Sequence, residues 1–214
     1  MHDVRELSRR ASPFPRPQSI AFAGPALWVG SIATDHIYRL DPATLEVEDE
    51  VLAPGKPWGM TAVNGELRVI CGETDDDHRS IYRFAPGRGF IGAGRQCPQD
   101  TGSQLGFDGT RLFVSQWYNQ RVLGLDDAGD VVETIDVPHQ ICGQTIVDGA
   151  FYLMTTDDEA TSDYWITRIS RANGSYAISD LARVPFHARA LAFDGTRFWT
   201  NHREAGQIVA FDLL

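Results

Sequence analysis

Short apolar stretches recur along the chain, each a few residues long and each followed by a tight polar turn. In the middle of the sequence they read Gln104-Leu105-Gly106-Phe107, Arg111-Leu112-Phe113-Val114-Ser115, Arg121-Val122-Leu123-Gly124-Leu125 and Val131-Val132-Glu133-Thr134-Ile135. Runs this short, rich in β-branched and aromatic residues and bounded by Asp, Asn and Gly, predict strands rather than helices. The first two are joined by Asp108-Gly109, a dipeptide suited to a hairpin because Gly accepts positive φ at little cost. The third and fourth are joined across Asp127-Ala128-Gly129-Asp130. No helix of three turns is predicted anywhere.

The same four-strand unit repeats. Its first turn recurs as Ala23-Gly24, Asn64-Gly65, Asp108-Gly109, Asp148-Gly149 and Asp194-Gly195, with glycines 41, 44, 40 and 46 residues apart. The 19 residues after Gly195, together with the first 24, complete one more period of 43. The repeat therefore closes on itself with five units. Four strands per 40 to 45 residues is the period of a propeller blade. The expectation is an all-β, five-bladed β-propeller spanning residues 1–214 as one domain. The fifth unit ends after its third strand, so Val4 to Arg10 is expected to close the last blade and join the two ends of the ring. A β-sandwich is the runner-up, but it does not explain the circular closure.

Charge narrows the partners. Nineteen Lys and Arg against 29 Asp and Glu give a formal net charge of −10, the wrong sign for a nucleic-acid surface. The richest apolar run, Ser19 to Ala33, is broken by Gly24, Pro25 and Gly30, and is too short for a membrane helix. Three cysteines, Cys71, Cys97 and Cys142, lack any Cys-x-x-Cys spacing. An odd count with no apolar leader fits buried, reduced thiols and a cytoplasmic protein.

In a propeller, one face carries the loops between strands two and three and those entering the next blade. Five of the six histidines, His36, His78, His139, His187 and His202, fall in these loops. Imidazole is the commonest metal ligand, and three His plus water suit zinc or iron. His139, His187 and His202 are the candidate set, with Glu73 as an added carboxylate. The alternative is that these rings only cap loops. The acidic runs Asp75-Asp76-Asp77 and Asp157-Asp158-Glu159 read either as calcium ligands or as solvated loop charge. Trp58, Trp117, Tyr118 and Trp165 are candidates to shape a pocket for a planar or cationic ligand. Gln104 and Gln144 occupy one column of neighbouring inner strands and are expected to point into the channel, toward water or ligand. Arg189 is placed either to clamp a carboxylate or to pair with a loop acid such as Glu204. Asn173-Gly174-Ser175 matches a glycosylation sequon but suits a hairpin turn equally well.

The stretch from Asp108 to Asp126 resembles an NHL-type repeat and the blades of gluconolactonase-type and streptogramin-lyase propellers, and Ile37 to Thr44 carries the same pattern. The named families have six or seven blades. The resemblance implies a propeller over the whole chain and, from the lyases, a histidine base with a metal on the loop face. Plant-type glutaminyl cyclases share the count of five, but their Phe-Thr-Gln-Gly-Leu opening is absent here. Two functions follow as expectations. One is a metal-assisted lyase or hydrolase acting on a small molecule, with His139, His187, His202 and Arg189 as catalytic groups. The other is a non-catalytic module that binds a small ligand or a protein on the same face.

Overall fold

The computed structural model describes residues 1–73, 78–172 and 174–213. It is a ring of five antiparallel, four-stranded blades. The first blade contains β3 (Pro17–Ala23), β4 (Ala26–Ser31), β5 (His36–Leu40) and β6 (Val47–Leu52). The second contains β7 (Lys56–Val63), β8 (Glu66–Gly72), β9 (Ser80–Ala85) and β10 (Gly89–Gln96). The third contains β11 (Gln104–Phe107), β12 (Leu112–Gln116), β13 (Arg121–Leu125) and β14 (Val131–Asp136). The fourth contains β15 (Gln140–Val147), β16 (Ala150–Thr156), β17 (Tyr164–Ala172) and β18 (Ser175–Val184). The fifth contains β19 (Ala188–Phe193), β20 (Phe198–His202) and β21 (Gln207–Asp212), and is completed by β2 (Arg5–Ala11) from the N-terminus. This is the closure expected from the sequence. One feature is additional: β1 (His2–Asp3) runs parallel to β18, so the N-terminal segment ties the fourth blade to the fifth. Among the described residues the only helical element is a 3₁₀ turn at Pro98–Asp100, and no helix is long and apolar enough to cross a membrane.

Strand alternation explains the ring. Successive side chains of a strand point to opposite faces of the blade, and each face meets a different neighbour. In β4, Leu27 and Val29 pack with Trp199 and Ile208 of the fifth blade, while Trp28 packs with Met60 and Phe84 of the second. In β12, Phe113 packs toward Phe151 and Val114 toward Ile70. The core is accordingly five clusters, one per blade interface. Burying each such side chain contributes about 1.5–3 kcal/mol.

Four of the five repeated turns take two forms, while the first is a two-residue Gly24-Pro25 hairpin between Ala23 and Ala26. Asn64-Gly65 and Asp148-Gly149 are two-residue hairpins with both residues at positive φ. Asp108 and Asp194 instead open four-residue turns, and their Oδ1 atoms accept hydrogen bonds from the backbone two and three residues on. One sequence signal thus covers two geometries.

Where inner strands meet, space runs out. A Cβ on Gly143 of β15 would sit 2.6 Å from the carbonyl carbon of Ala190 in β19, and one on Gly59 of β7 would sit 2.6 Å from the backbone oxygen of Ser103. Both obstacles are backbone, which yields poorly. Gly143→Ala is expected to destabilise the fold by about 2 kcal/mol or more through overpacking. Urea denaturation checks this, and a loss under about 1 kcal/mol would show that the fourth and fifth blades can move apart.

The three cysteines are free, buried and divided among three clusters. Burial pushes Cys71 and Cys97 up to about 12 and Cys142 up to about 11, so all are protonated near neutral pH. The expected result is no fast reaction with an aromatic disulfide reagent at pH 8, and three reacting thiols in denaturant. Rapid native labelling of one thiol would contradict this.

Candidate functional site

On the loop face, a cavity of about 320 Å³ opens over the channel. Four arginines line it: Arg16, Arg79, Arg189 and Arg203. Three aromatic side chains, Trp58, Trp117 and Tyr118, share the wall, and among the described residues Glu159 supplies the one carboxylate. Among the described residues that line it there is no histidine.

Arg189 is the most buried of the four arginines. The start of β19 carries it inward, and only 6% of its surface is exposed. Its Nη1 donates to the Tyr164 hydroxyl at 2.6 Å and to the Ala188 carbonyl at 3.3 Å, while Nη2 donates to Glu159 at 3.2 Å. Its guanidinium carbon lies 5.1 Å from the Trp117 ring centre and 5.6 Å from that of Tyr164, within cation–π range. The guanidinium is held by a phenol, a carbonyl and two rings.

Arg203 leaves the end of β20 and is also largely enclosed. Its Nη1 donates to Gln18 Oε1 at 3.0 Å and its Nε donates to Glu204 at 2.7 Å. Burial pushes its pKa below the usual arginine value, and repulsion from Arg189 adds to this, with Glu204 opposing and Arg16 reinforcing. Arg16 reaches Glu204 at 3.9 Å. On the other side, Arg79 lies 4.3 Å over the Trp58 ring and donates to the Gly102 carbonyl at 2.8 Å. Gln18 and Gln104 both donate to the Trp58 carbonyl, at 3.3 and 3.0 Å, tying the floor across blades. Cys142 and Ser103 complete that floor, and Ser103 Oγ donates to the Ile141 carbonyl at 3.0 Å.

The expected site residues divide. Trp58, Trp117, Tyr118 and Arg189 are brought together in the cavity. The histidines are not. His139 lies in the fourth blade with its ring nitrogens 2.6 Å from Asp157 and 3.3 Å from Asp180, and 5.2 Å from the ring of Trp165. His187 and His202 stack on each other 6.0 Å apart, His202 against Phe186. Burial pushes His202 below the usual histidine value, with Arg9 and His187 adding to the effect. His36 donates to the Thr34 carbonyl at 2.6 Å, a loop-capping role. This geometry does not gather the expected metal set of His139, His187, His202 and Glu73. His139 is engaged by two aspartates, Glu73 is exposed, and among the described residues no group of three or more His, Cys, Asp or Glu is placed to hold a metal ion.

Gln104 is spent on the Trp58 carbonyl. Gln144 lines a second, smaller cavity of about 150 Å³ at the opposite mouth of the channel. Arg189 does pair with a loop acid, but that acid is Glu159 rather than Glu204, which holds Arg203. In the second acidic run, Asp157 faces His139, the Asp158 carboxylate accepts from the Ala160 backbone at 2.9 Å, and Glu159 enters the cavity. The run Asp75-Asp76-Asp77 and the sequon residue Asn173 lie outside the described residues. Sequence reasoning missed Arg16, Arg79 and Arg203. All three fall in loops of the same face, so counting arginines there, as was done for histidines, would have found them.

No family model and no curated protein matches the sequence. Solved structures do match the fold. Glutaminyl cyclase from Myxococcus xanthus aligns over 100% of both chains with a TM-score of 0.72 and 11% identity. Virginiamycin B lyase from Staphylococcus aureus aligns over 95% of this chain and 68% of its own, with a TM-score of 0.55 and 15% identity. The PQQ-bound aldose sugar dehydrogenase from Streptomyces coelicolor covers 98% of each chain, with a TM-score of 0.56 and 14% identity. At these identities the likeness is one of architecture: the chain shares the β-propeller fold with proteins that include enzymes of different chemistries.

Proposed function

We propose that the loop-face cavity binds a small organic anion with a planar or apolar body. The observation that carries this reading is the sign of the cavity. Among the described residues that line it, four arginines face one carboxylate, in a chain whose formal net charge is −10. Concentrating cations against the charge of the whole protein costs mutual repulsion, which an anionic ligand relieves. Guanidinium groups match carboxylate and phosphate oxygens geometrically. Trp58 and Trp117 flank the arginines and offer flat apolar faces to the rest of the ligand. A pocket of this size suits a small molecule rather than a polymer.

The metal-assisted lyase or hydrolase expected from the histidines lacks a gathered donor set among the described residues. An enzyme acting at the same cavity is the second reading, favoured by the full-length alignment with a glutaminyl cyclase. Glu159, the one carboxylate among its lining residues, would then be the group available for proton transfer.

Tryptophan fluorescence tests the binding reading, since two of the five tryptophans line the cavity. Phenyl phosphate and benzoate are expected to quench saturably, and neutral benzamide and cationic benzylamine to bind about tenfold more weakly or not at all. Arg79→Gln and Arg16→Gln, both at the cavity edge, are each expected to weaken phenyl phosphate about tenfold, as fits one lost charge-assisted hydrogen bond. Equal binding of the anionic and neutral probes would overturn the reading.

A further inference from the structure

We infer that Glu159 occupies the anion subsite as a tethered competitor, so that the ligand's carboxylate or phosphate group takes its place on Arg189. This deepens the anion-binding reading and rests on it. Four observations carry the inference. First, the contact joins unlike partners: the Arg189 side chain is 8% exposed and that of Glu159 is 60% exposed. Arg189 is fixed by Tyr164, Ala188 and the Trp117 ring, so Glu159 is the partner that can leave. Second, the contact is a single hydrogen bond from Nη2 at 3.2 Å, whereas a free carboxylate or phosphate can engage a guanidinium through two oxygens. With its carboxylate partner exposed and only one hydrogen bond made, the pair is open to exchange with an anion that keeps Arg189 compensated.

Third, the loop carrying Glu159 is built without it. Between β16 and β17, Thr156 Oγ1 donates to the backbone oxygens of Asp158 and Asp163, Thr161 Oγ1 donates to Asp158 O, and Asp158 Oδ1 accepts from the Ala160 amide. The Glu159 carboxylate takes no part in these bonds, so its release leaves the loop standing. Fourth, the two acids near the arginines differ. Glu204 bonds to Arg203 and approaches Arg16 without lining the cavity, so it balances charge from outside. Glu159 lies inside, where the ligand must go.

The consequence is selectivity by exchange. An anion that replaces Glu159 trades one carboxylate for another at Arg189, while a neutral molecule must leave Glu159 where it is. Removing the charge of Glu159 therefore helps anions and leaves neutral ligands unaffected.

The test compares Glu159→Gln with Glu204→Gln, using phenyl phosphate and benzamide as probes in the full chain. Both positions are exposed, and thermal melts confirm that each variant folds. Glu159→Gln is expected to tighten phenyl phosphate about tenfold and to leave benzamide unchanged, while Glu204→Gln, which removes the same unit of charge, tightens phenyl phosphate by less than about threefold. Equal gains from the two substitutions would reduce Glu159 to a field effect and overturn the inference, while anion binding itself stands. An equal gain for benzamide would make Glu159 a steric plug and would also overturn it. Phenyl phosphate that binds Glu159→Gln but not the unaltered protein would support the competitor most directly. If it binds neither, the anion-binding reading falls and the inference falls with it.

Discussion

The convergence of five inner strands on one axis sets the terms for everything else in this molecule. Each of β3, β7, β11, β15 and β19 is paired along one edge only, and the other edge faces the channel. The strands crowd so closely that Gly59 and Gly143 sit where a side chain would strike a neighbour's backbone. Side chains are therefore excluded at these points of close approach, and larger ones gather toward the two mouths of the channel, Gln144 at one and the strand starts at the other. Arg189, Trp58 and Gln18 stand at those starts. Crowding below and divergence above together make a cavity with a closed floor and an open rim.

The floor is stitched across blades by polar bonds. Two glutamines from the first and third blades donate to one carbonyl in the second, and Ser103 of the third donates to Ile141 of the fourth. Hydrogen bonds between blades fix the rim residues relative to one another, which apolar packing lower in the interfaces does less specifically. The guanidinium of Arg189 can be buried there because its partners come from three blades: Tyr164 and Glu159 from the fourth, Ala188 from its own, and the face of Trp117 from the third.

How much of this was legible in the sequence follows from the range of each interaction. The blades were readable because their signals are local: a turn dipeptide, a strand of period two and a fixed repeat length. The closure by the N-terminal strand was readable because the count of strands fell short by one. The second N-terminal strand, β1, was not, because two residues carry no period. Trp58, Trp117, Tyr118 and Arg189 were legible as a group once the fold named the face they share. The histidines share that face too, yet they are not gathered into one group among the described residues. Sharing a face places side chains within one loop layer, but convergence depends on radial position, and His139 lies out against Asp157 and Asp180 while His187 and His202 stack together. Ion pairs such as Arg189–Glu159 depend on how a loop bends, which the pattern of apolar residues does not encode.

The residue type chosen for the cavity has a physical logic of its own. Of the 19 basic residues, Lys56 is the sole lysine and 18 are arginines. Burial disfavours a charged side chain, and Arg203 is pushed down by burial and by its cationic neighbours. Arginine starts so high that this displacement leaves it charged at neutral pH, whereas a lysine in the same enclosure would begin about two or more pH units lower and give up its proton more readily. A cluster of cations that must stay charged while packed under tryptophan and tyrosine rings is therefore a cluster only arginine can form. Its guanidinium also sits within cation–π range of those rings while its N–H groups still donate, as Arg79 does over Trp58 and Arg189 does beside Trp117. At Arg79 and Arg189 the aromatic and the cationic character of this cavity act together: the rings pack against the guanidinium groups, whose N–H donors remain for an arriving anion.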